Sequence, residues 1–307
     1  MKSIHLVLIA ASVHVLCITP LRAQTDYDWW NMIHNWDGIS PPHKYITISP
    51  AYMGPNALPV PQVRMGLVNP WFEVENAIDF YFSRGDNTQD WFARVNVPVV
   101  KGIVSLEGYV VPLEHFETDT TTRDTRAART RSGEGYAGGD IYFSTHVQLW
   151  QGKKFPDAAL ELAMKTASGT HLTDARFTDA SGYFFNLSVG KGRGFQESFV
   201  DSLRWFAMAG FYSFQTYDDF HLQNDAMLLG AGFSVSRKIF HWRNELGGYA
   251  GFHYNGDHPM VFRSRLSAAS RLFRYELMYQ KGLHDFPYTG LRLSLVFYLD
   301  IHKKATE

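Results

Sequence analysis

The 307-residue sequence carries 29 basic and 30 acidic residues, 13 histidines, one cysteine and 15% aromatic residues, at a mean hydropathy of −0.21. So even a charge balance excludes a nucleic-acid binder by composition, and a lone cysteine excludes a disulfide framework. Beyond the first two dozen residues no stretch approaches the ~20 apolar residues of a membrane helix.

Residues 1–23 read as a secretory signal peptide: Lys2, an apolar run from Leu6 to Ile18, the helix-breaking Pro20 and a small residue, Ala23, after which cleavage is expected. Cys17 leaves with that leader, and Leu16 before it is a poor lipoprotein signal. Without Lys2 and Arg22, 27 basic and 30 acidic residues remain, a net charge of minus three.

Residues 24–70 are too aromatic for a disordered tail, and their prolines forbid a long helix or a central strand. They are expected to form a plug-like segment in the periplasmic mouth of whatever follows, with Trp29, Trp30 and Trp36 buried. The alternative is that Lys44 to Met53 adds a strand.

From residue 72 on, apolar and polar residues alternate with period two. In GLRLSLVFYLD (290–300), Leu291, Leu293, Leu295, Phe297 and Leu299 share one face, while Arg292, Ser294, Tyr298 and Asp300 share the other. Twelve such segments are predicted: 72–85, 90–101, 103–116, 139–151, 157–168, 182–191, 203–216, 225–237, 240–254, 260–270, 272–283 and 288–300. The seventh, LRWFAMAGFYSFQ, is apolar on both faces, which leaves its register open. Connections after even-numbered segments are mostly tight, and those after odd-numbered ones mostly longer and polar. The exceptions are a short first loop, RGDNTQD, and a long sixth connection, GKGRGFQESF.

An even number of long strands with short turns at one end is the signature of a transmembrane β-barrel. A soluble sandwich would also alternate, but its strands average ~5–6 residues, whereas a tilted bilayer span takes ~9–11. Aromatics gather near the predicted strand ends as an interfacial girdle: Trp71, Phe72, Trp91, Trp150, Tyr217, Trp242, Tyr254, Phe286 and Tyr288. The expected fold is therefore all-β, an antiparallel up-and-down barrel of about twelve strands over residues 71–301, with 302–307 a periplasmic tail. Over residues 72–300 the chain resembles the single-chain outer-membrane barrels of Gram-negative bacteria. The segment ISPAYMGPNALPVP (48–61) is similar to one in an uncharacterised family of such proteins, which implies no activity. The resemblance implies an outer-membrane location, with lipid and lipopolysaccharide as partners.

On these registers the leucine face meets lipid and the charged face meets a lumen. The lumen-lining candidates are Asp79, Arg94, Glu107, His146, Glu161 and Lys165 on one arc. On the other they are Arg204, Arg243, Glu245, Arg263, Arg265, Arg274, Glu276 and Arg292, followed by Asp300, so this second arc is net positive. An arginine-rich wall favours small anionic solutes, since the guanidinium fork binds carboxylate and phosphate bidentately. Equally, the charges pair with one another and fill a narrow lumen. The 117–138 loop, with Arg123, Arg126, Arg129 and Arg131, either folds inward, touches lipopolysaccharide phosphates or is solvated.

Three successive outer loops each bring Asp and His together: Asp218, Asp219 and His221; Asp257 and His258; His284 and Asp285. Asp219, His221, Asp257, His258, His284 and Asp285 are candidate metal ligands or acid–base groups, against the alternative of exposed loop polarity. Their arrangement resembles the aspartate and histidine rim of the omptin outer-membrane proteases, without a matching motif. Ser144 and His146 share a face, as in an acyl hydrolase of the phospholipase type, but on the lumen side and away from lipid. No catalytic residue and no cofactor is assigned. The expected function is a narrow channel or binding protein for small anionic solutes; a rim enzyme and a purely structural or adhesive barrel are the alternatives.

Overall fold

A computed structural model describes residues 26–196 and 198–302. Residues 1–25, with the expected signal peptide and Cys17, and residues 303–307 of the tail lie outside the described residues. Residues 26–36 belong to a unit of their own, with one short helix, α1 (Asp28–Ile33). Residues from 37 on form the barrel unit.

The first three strands are β1 (Phe72–Ser83), β2 (Asp86–Val100) and β3 (Val104–Thr118). A helical turn, α2 (Thr120–Thr125), and the four-residue β4 (Glu134–Ala137) follow in the loop after β3. Next come β5 (Tyr142–Trp150), β6 (Asp157–Lys165), β7 (Gly182–Gly194), β8 (Ser202–Gln215) and β9 (Gln223–Arg237). The last four are β10 (Phe240–Gly251), β11 (Met260–Ala269), β12 (Phe273–His284) and β13 (Thr289–Leu299). Neighbours pair antiparallel, and β1 pairs with both β2 and β13, closing a twelve-strand barrel. The thirteenth strand, β4, only lengthens the wall: it pairs with the outer end of β3, whose other half pairs with β5. Residues 44–53 add no strand; a 3-10 turn (Pro42–Tyr45) and bends occupy them.

Alternation sets the faces. Leu291, Leu293, Leu295 and Leu299 are all more than 40% exposed, while Arg292 and Ser294 are buried. The same holds for Phe143 and Leu162 against His146 and Glu161. An apolar outer face with buried charge inside is what hydrocarbon requires of a closed sheet. β8 resolves by the same rule: Leu203 and Trp205 face out, and Phe206, Met208, Tyr212 and Phe214 face in. Trp71, Trp150, Trp242 and Tyr254 are exposed near strand ends as a girdle requires; Trp91 is exposed but lies inside β2, opposite Ile78, and Phe286 and Tyr288 are buried. These two sit in a loop that folds over the mouth, where the Tyr288 hydroxyl is needed as a donor.

Short turns define the periplasmic end: 101–103, 238–239 and 270–272 there, against 119–141, 166–181 and 252–259 at the outer end. The two-residue 84–85 turn is the short exception outside and 195–201 the long one inside.

Candidate functional site: a charged lumen around an inner segment

Residues 37–70 are not confined to the periplasmic mouth. Lys44 pairs with Asp219 in an outer loop, and Ala51 N–H donates to Gly256 O (3.2 Å) in another. From Met53 the chain descends through the lumen without helix or strand to Trp71, just before β1. Pro55, Pro59 and Pro61 remove donors from this stretch and bar it from a strand. Most of its residues are buried, so their backbone groups need partners.

The wall supplies them. Tyr249 donates to Leu58 O (3.2 Å), Arg263 Nη2 to Val60 O (2.6 Å), and Arg204 Nε and Nη2 to Met65 O (3.1 and 2.8 Å). Arg243 donates to Val63 O, and Glu245 accepts from Val63 N–H (3.3 Å). Gln148 donates to Gly66 O (2.9 Å) and accepts from Val68 N–H (2.9 Å). Inward arginines thus hold backbone carbonyls, a role that charge counting missed; the proline-rich run was the signal for it.

The wall also makes room. Gly230 on β9 and Gly247 on β10 face Val63: a Cβ there would lie 2.5 and 3.1 Å from Val63 Cγ2. On the minimal inner face of β9, Gly230 makes room for the inner segment and Gly232 for the Phe206 ring, 2.7 Å from where its Cβ would lie. Gly66 turns with φ +73°, and a Cβ there would come within 2.7 Å of Asp157 O and Gly190 N.

The outer end is shut by buried polar contacts. Asn56 Nδ2 donates to Asp90 Oδ2 (2.8 Å) and Glu114 Oε2 (2.7 Å). From the 166–181 loop the fully buried Arg176 reaches Glu114 (2.8 Å), Asp86 (2.9 Å) and Thr88 (2.7 Å). Tyr288 donates to Met53 O (3.0 Å) and Asp86 (2.6 Å), and Arg126 pairs with Asp86 (2.5 Å). Of the 117–138 arginines, Arg123 and Arg126 are therefore buried, not solvated.

Below this seal lies a cavity of about 660 Å³. Asn56, Phe177 and Phe286 bound its upper end, and Gly102, Gln151 and Ile239 its periplasmic end. On the β10–β12 arc Arg243 and Arg263 share Glu245, and Arg265 and Arg274 share Glu276: four arginines to two glutamates. Arg243 and Arg265 stand directly opposite each other in the register, a costly like-charge pair. Across the lumen Glu73, Glu75, Glu107 and Glu161 answer to Arg94 and to Arg64 of the inner segment. Arg274 joins the arcs through Glu73 (2.9 Å). The cavity therefore has one wall in excess of positive charge and one in excess of negative charge.

The other lumen candidates also point inward. Asp79 pairs with Arg292, Arg204 with Asp157 (2.8 Å), and Lys165 with Asp140 (2.7 Å). Asp300 instead leaves the lumen, at the end of β13, and pairs with Lys101 of a periplasmic turn. Glu73 and Glu75 were overlooked although they share the parity of Asp79, and Arg64 and Arg176 lie outside any strand pattern. Ser144 Oγ and His146 Nε2 are 3.0 Å apart, but Glu107 and Glu161 approach the same Nε2, each at 3.9 Å. Among the described residues no carboxylate orients the other ring nitrogen, so the pair lacks the geometry of an activated nucleophile.

The six rim candidates do not converge. Asp219 is taken by Lys44, and His221 lies against the ring of His253 (5.0 Å). Asp257, His258, His284 and Asp285 bond among themselves: His258 Nδ1 to Asp257 Oδ1 (3.1 Å), His258 N–H to Asp285 Oδ2 (3.0 Å), and His284 Nδ1 with His258 O (2.9 Å). Burial pushes the Asp257 carboxyl up, but hydrogen bonds from Asn224 and the His253 N–H outweigh it and hold it below the ordinary range. Among the described residues, three ligand atoms within 4.8 Å of one another occur at two other places, Glu107–His146–Glu161 in the lumen and His115–Glu117–Glu134 on the β3–β4 surface.

No family model and no curated protein matches the chain. Among solved structures it is similar to the COG4313 outer membrane channel from Pseudomonas putida F1, at TM-score 0.51 and 9% identity over 80% of this chain and 97% of that one. It is also similar to the KdgM porin (TM-score 0.45, 8% identity, 73% and 98% covered) and the CymD monoaromatic hydrocarbon channel (0.36, 8%, 78% and 90%). At such identity the first likeness bears on the fold alone. With the closed twelve-strand sheet and its apolar exterior, it makes this chain a β-barrel protein of the outer membrane.

Proposed function

We propose that the protein is a narrow channel for small anionic solutes that carries its own obstruction, residues 53–70, in the lumen. On this reading residues 1–23 direct export in a Gram-negative cell and are removed. The leucine face meets lipid, and the outer loops meet lipopolysaccharide. The observation that carries the proposal is the division of cavity charge, with four arginines to two glutamates on β10–β12 and, on the facing arc, four glutamates to Arg94 and the inner segment's Arg64. Such a transverse field orders ions passing between the walls, and underpaired guanidinium groups on one wall attract carboxylates or phosphates. The similar Pseudomonas putida barrel is named as a channel, which accords with the reading.

The test is planar-bilayer conductance with a salt gradient. The intact chain should conduct weakly, and a chain lacking residues 37–70 several-fold more. Arg243→Ala with Arg265→Ala in that background should move the reversal potential toward cations. A barrel that folds without residues 37–70 and still passes no current would end the channel reading.

A further inference from the structure

Glu107, His146 and Glu161 point from three neighbouring strands, β3, β5 and β6, at one spot on the lumen wall. His146 lies opposite Glu161 in the register, and Glu107 opposite Ser144. One oxygen of each carboxylate and one imidazole nitrogen fall within 4.8 Å of one another, and the residues are only 6%, 8% and 2% exposed. Two buried carboxylates this close repel unless a cation lies between them. Here the cation is a guanidinium: Arg64 Nη2 is 2.7 Å from Glu107 Oε1 and 2.6 Å from Glu161 Oε1. His146 Nε2 lies 3.9 Å from each of those oxygens. The three acceptors belong to the rigid wall, whereas the guanidinium belongs to the inner segment.

We propose that this pocket is a divalent-metal site of the barrel wall, of the zinc class, and that Arg64 is its exchangeable occupant. Two carboxylates and an imidazole are a zinc donor set with a fourth position left for water. The distal oxygens are already steadied as ligands require: Asn186 Nδ2 donates to Glu161 Oε2 (2.7 Å) and Arg94 Nη1 to Glu107 Oε2 (2.8 Å). The Ser144 hydroxyl, 3.0 Å from Nε2, gives up that contact when the metal binds. Metal and Arg64 exclude each other, so whatever weakens the seating of the inner segment strengthens metal binding by the same factor, and the reverse. The step from metal binding to an opened lumen rests on the channel reading; the metal site does not.

The experiment uses the full chain with His115→Ala, which removes the exposed His115–Glu117–Glu134 group. Zn²⁺ is titrated by calorimetry into the detergent-folded barrel. With Arg64→Ala added, one Zn²⁺ per barrel should bind, and His146→Ala or Glu161→Gln in that chain should weaken it by more than about 100-fold, beyond what loss of an outer-shell partner costs. With Arg64 in place binding should be weaker than in Arg64→Ala. If the Arg64→Ala barrel takes up no more Zn²⁺ than the Arg64→Ala, His146→Ala barrel, the site is refuted; Arg64→Gln carries the same comparison should Arg64→Ala not refold. In bilayers Zn²⁺ should raise the conductance of the chain that keeps Arg64, but not when His146→Ala is added. Binding without that rise overturns the link to opening and leaves the metal site standing, while silence even after deletion of residues 37–70 overturns the channel.

Discussion

Arg292 on β13 and Asp79 on β1 stand directly opposite each other across the seam where the last strand meets the first, and both guanidinium Nε and Nη2 donate to the carboxylate. The pair is buried, at 7% and 1% exposure, with the Arg292 guanidinium over the Phe92 ring at 3.7 Å. Removing one partner strands a charge in low dielectric, which costs roughly 3–5 kcal/mol. Arg292→Ala should therefore lower unfolding stability in detergent by about that much. Arg292→Met combined with Asp79→Asn should recover most of the loss, as read by urea titration of the heat-modifiable folded form.

Val63 rests on Gly230, where a Cβ would lie 2.5 Å from Val63 Cγ2. Cysteines at the two positions, with Cys17 replaced by Ser, should cross-link under mild oxidation. The bond would pin the inner segment to β9. Any current that depends on the segment's departure should vanish on oxidation and return with reductant. Cross-linking that leaves the current of the wild-type level untouched would show that solutes pass beside a fixed segment.

Arg176 is the centre of the outer seal, bonded to Asp86, Thr88 and Glu114 and lying over the Phe116 ring at 4.7 Å. Arg176→Ala should leave Asp86 and Glu114 underpaired, costing roughly 3–5 kcal/mol. It should also loosen the 166–181 loop, seen as faster proteolysis there on intact cells and as a larger conductance. Unchanged proteolysis would mean that Asn56, Tyr288 and Arg126 hold the seal unaided.

Asp257 predicts a pH response of the outer rim. Its folded pKa is depressed, so the stabilisation is present above the ordinary carboxylate range, near pH 4, and is lost as pH falls through the folded value. Protection of the 252–259 loop amides, relative to their intrinsic exchange rates, should fall below about pH 4 and show no such step in Asp257→Asn.

The barrel was legible because hydrocarbon enforces the parity of every strand: Leu293 out and Arg292 in needs no neighbour to explain it. Of the inner segment the prolines made a plug-like character legible but not its route or partners, because nothing periodic marks a chain whose carbonyls are satisfied one by one by Arg204, Gln148 and Tyr249 from distant strands. The sense of the lumen arginines was half readable. Their sign and direction follow from alternation, but their ligand is in part peptide backbone, which charge patterns do not register. The rim aspartates and histidines misled for a related reason, since adjacency in neighbouring loops does not fix where a side chain turns, and Lys44 of the inner segment claims Asp219.

The route of the chain from Lys44 at the outer rim, down past Arg64, and out at Trp71 into β1 constrains assembly. A ring already welded at the Asp79–Arg292 seam admits this strand of chain only by threading a free end through it. The order of events that avoids threading is for β2 to β12 to curl around residues 53–70 first and for β1 and β13 to meet last. The obstruction then serves as the mandrel on which the cylinder is wound, and variants that weaken its grip should slow ring closure before they alter anything that passes through the finished pore.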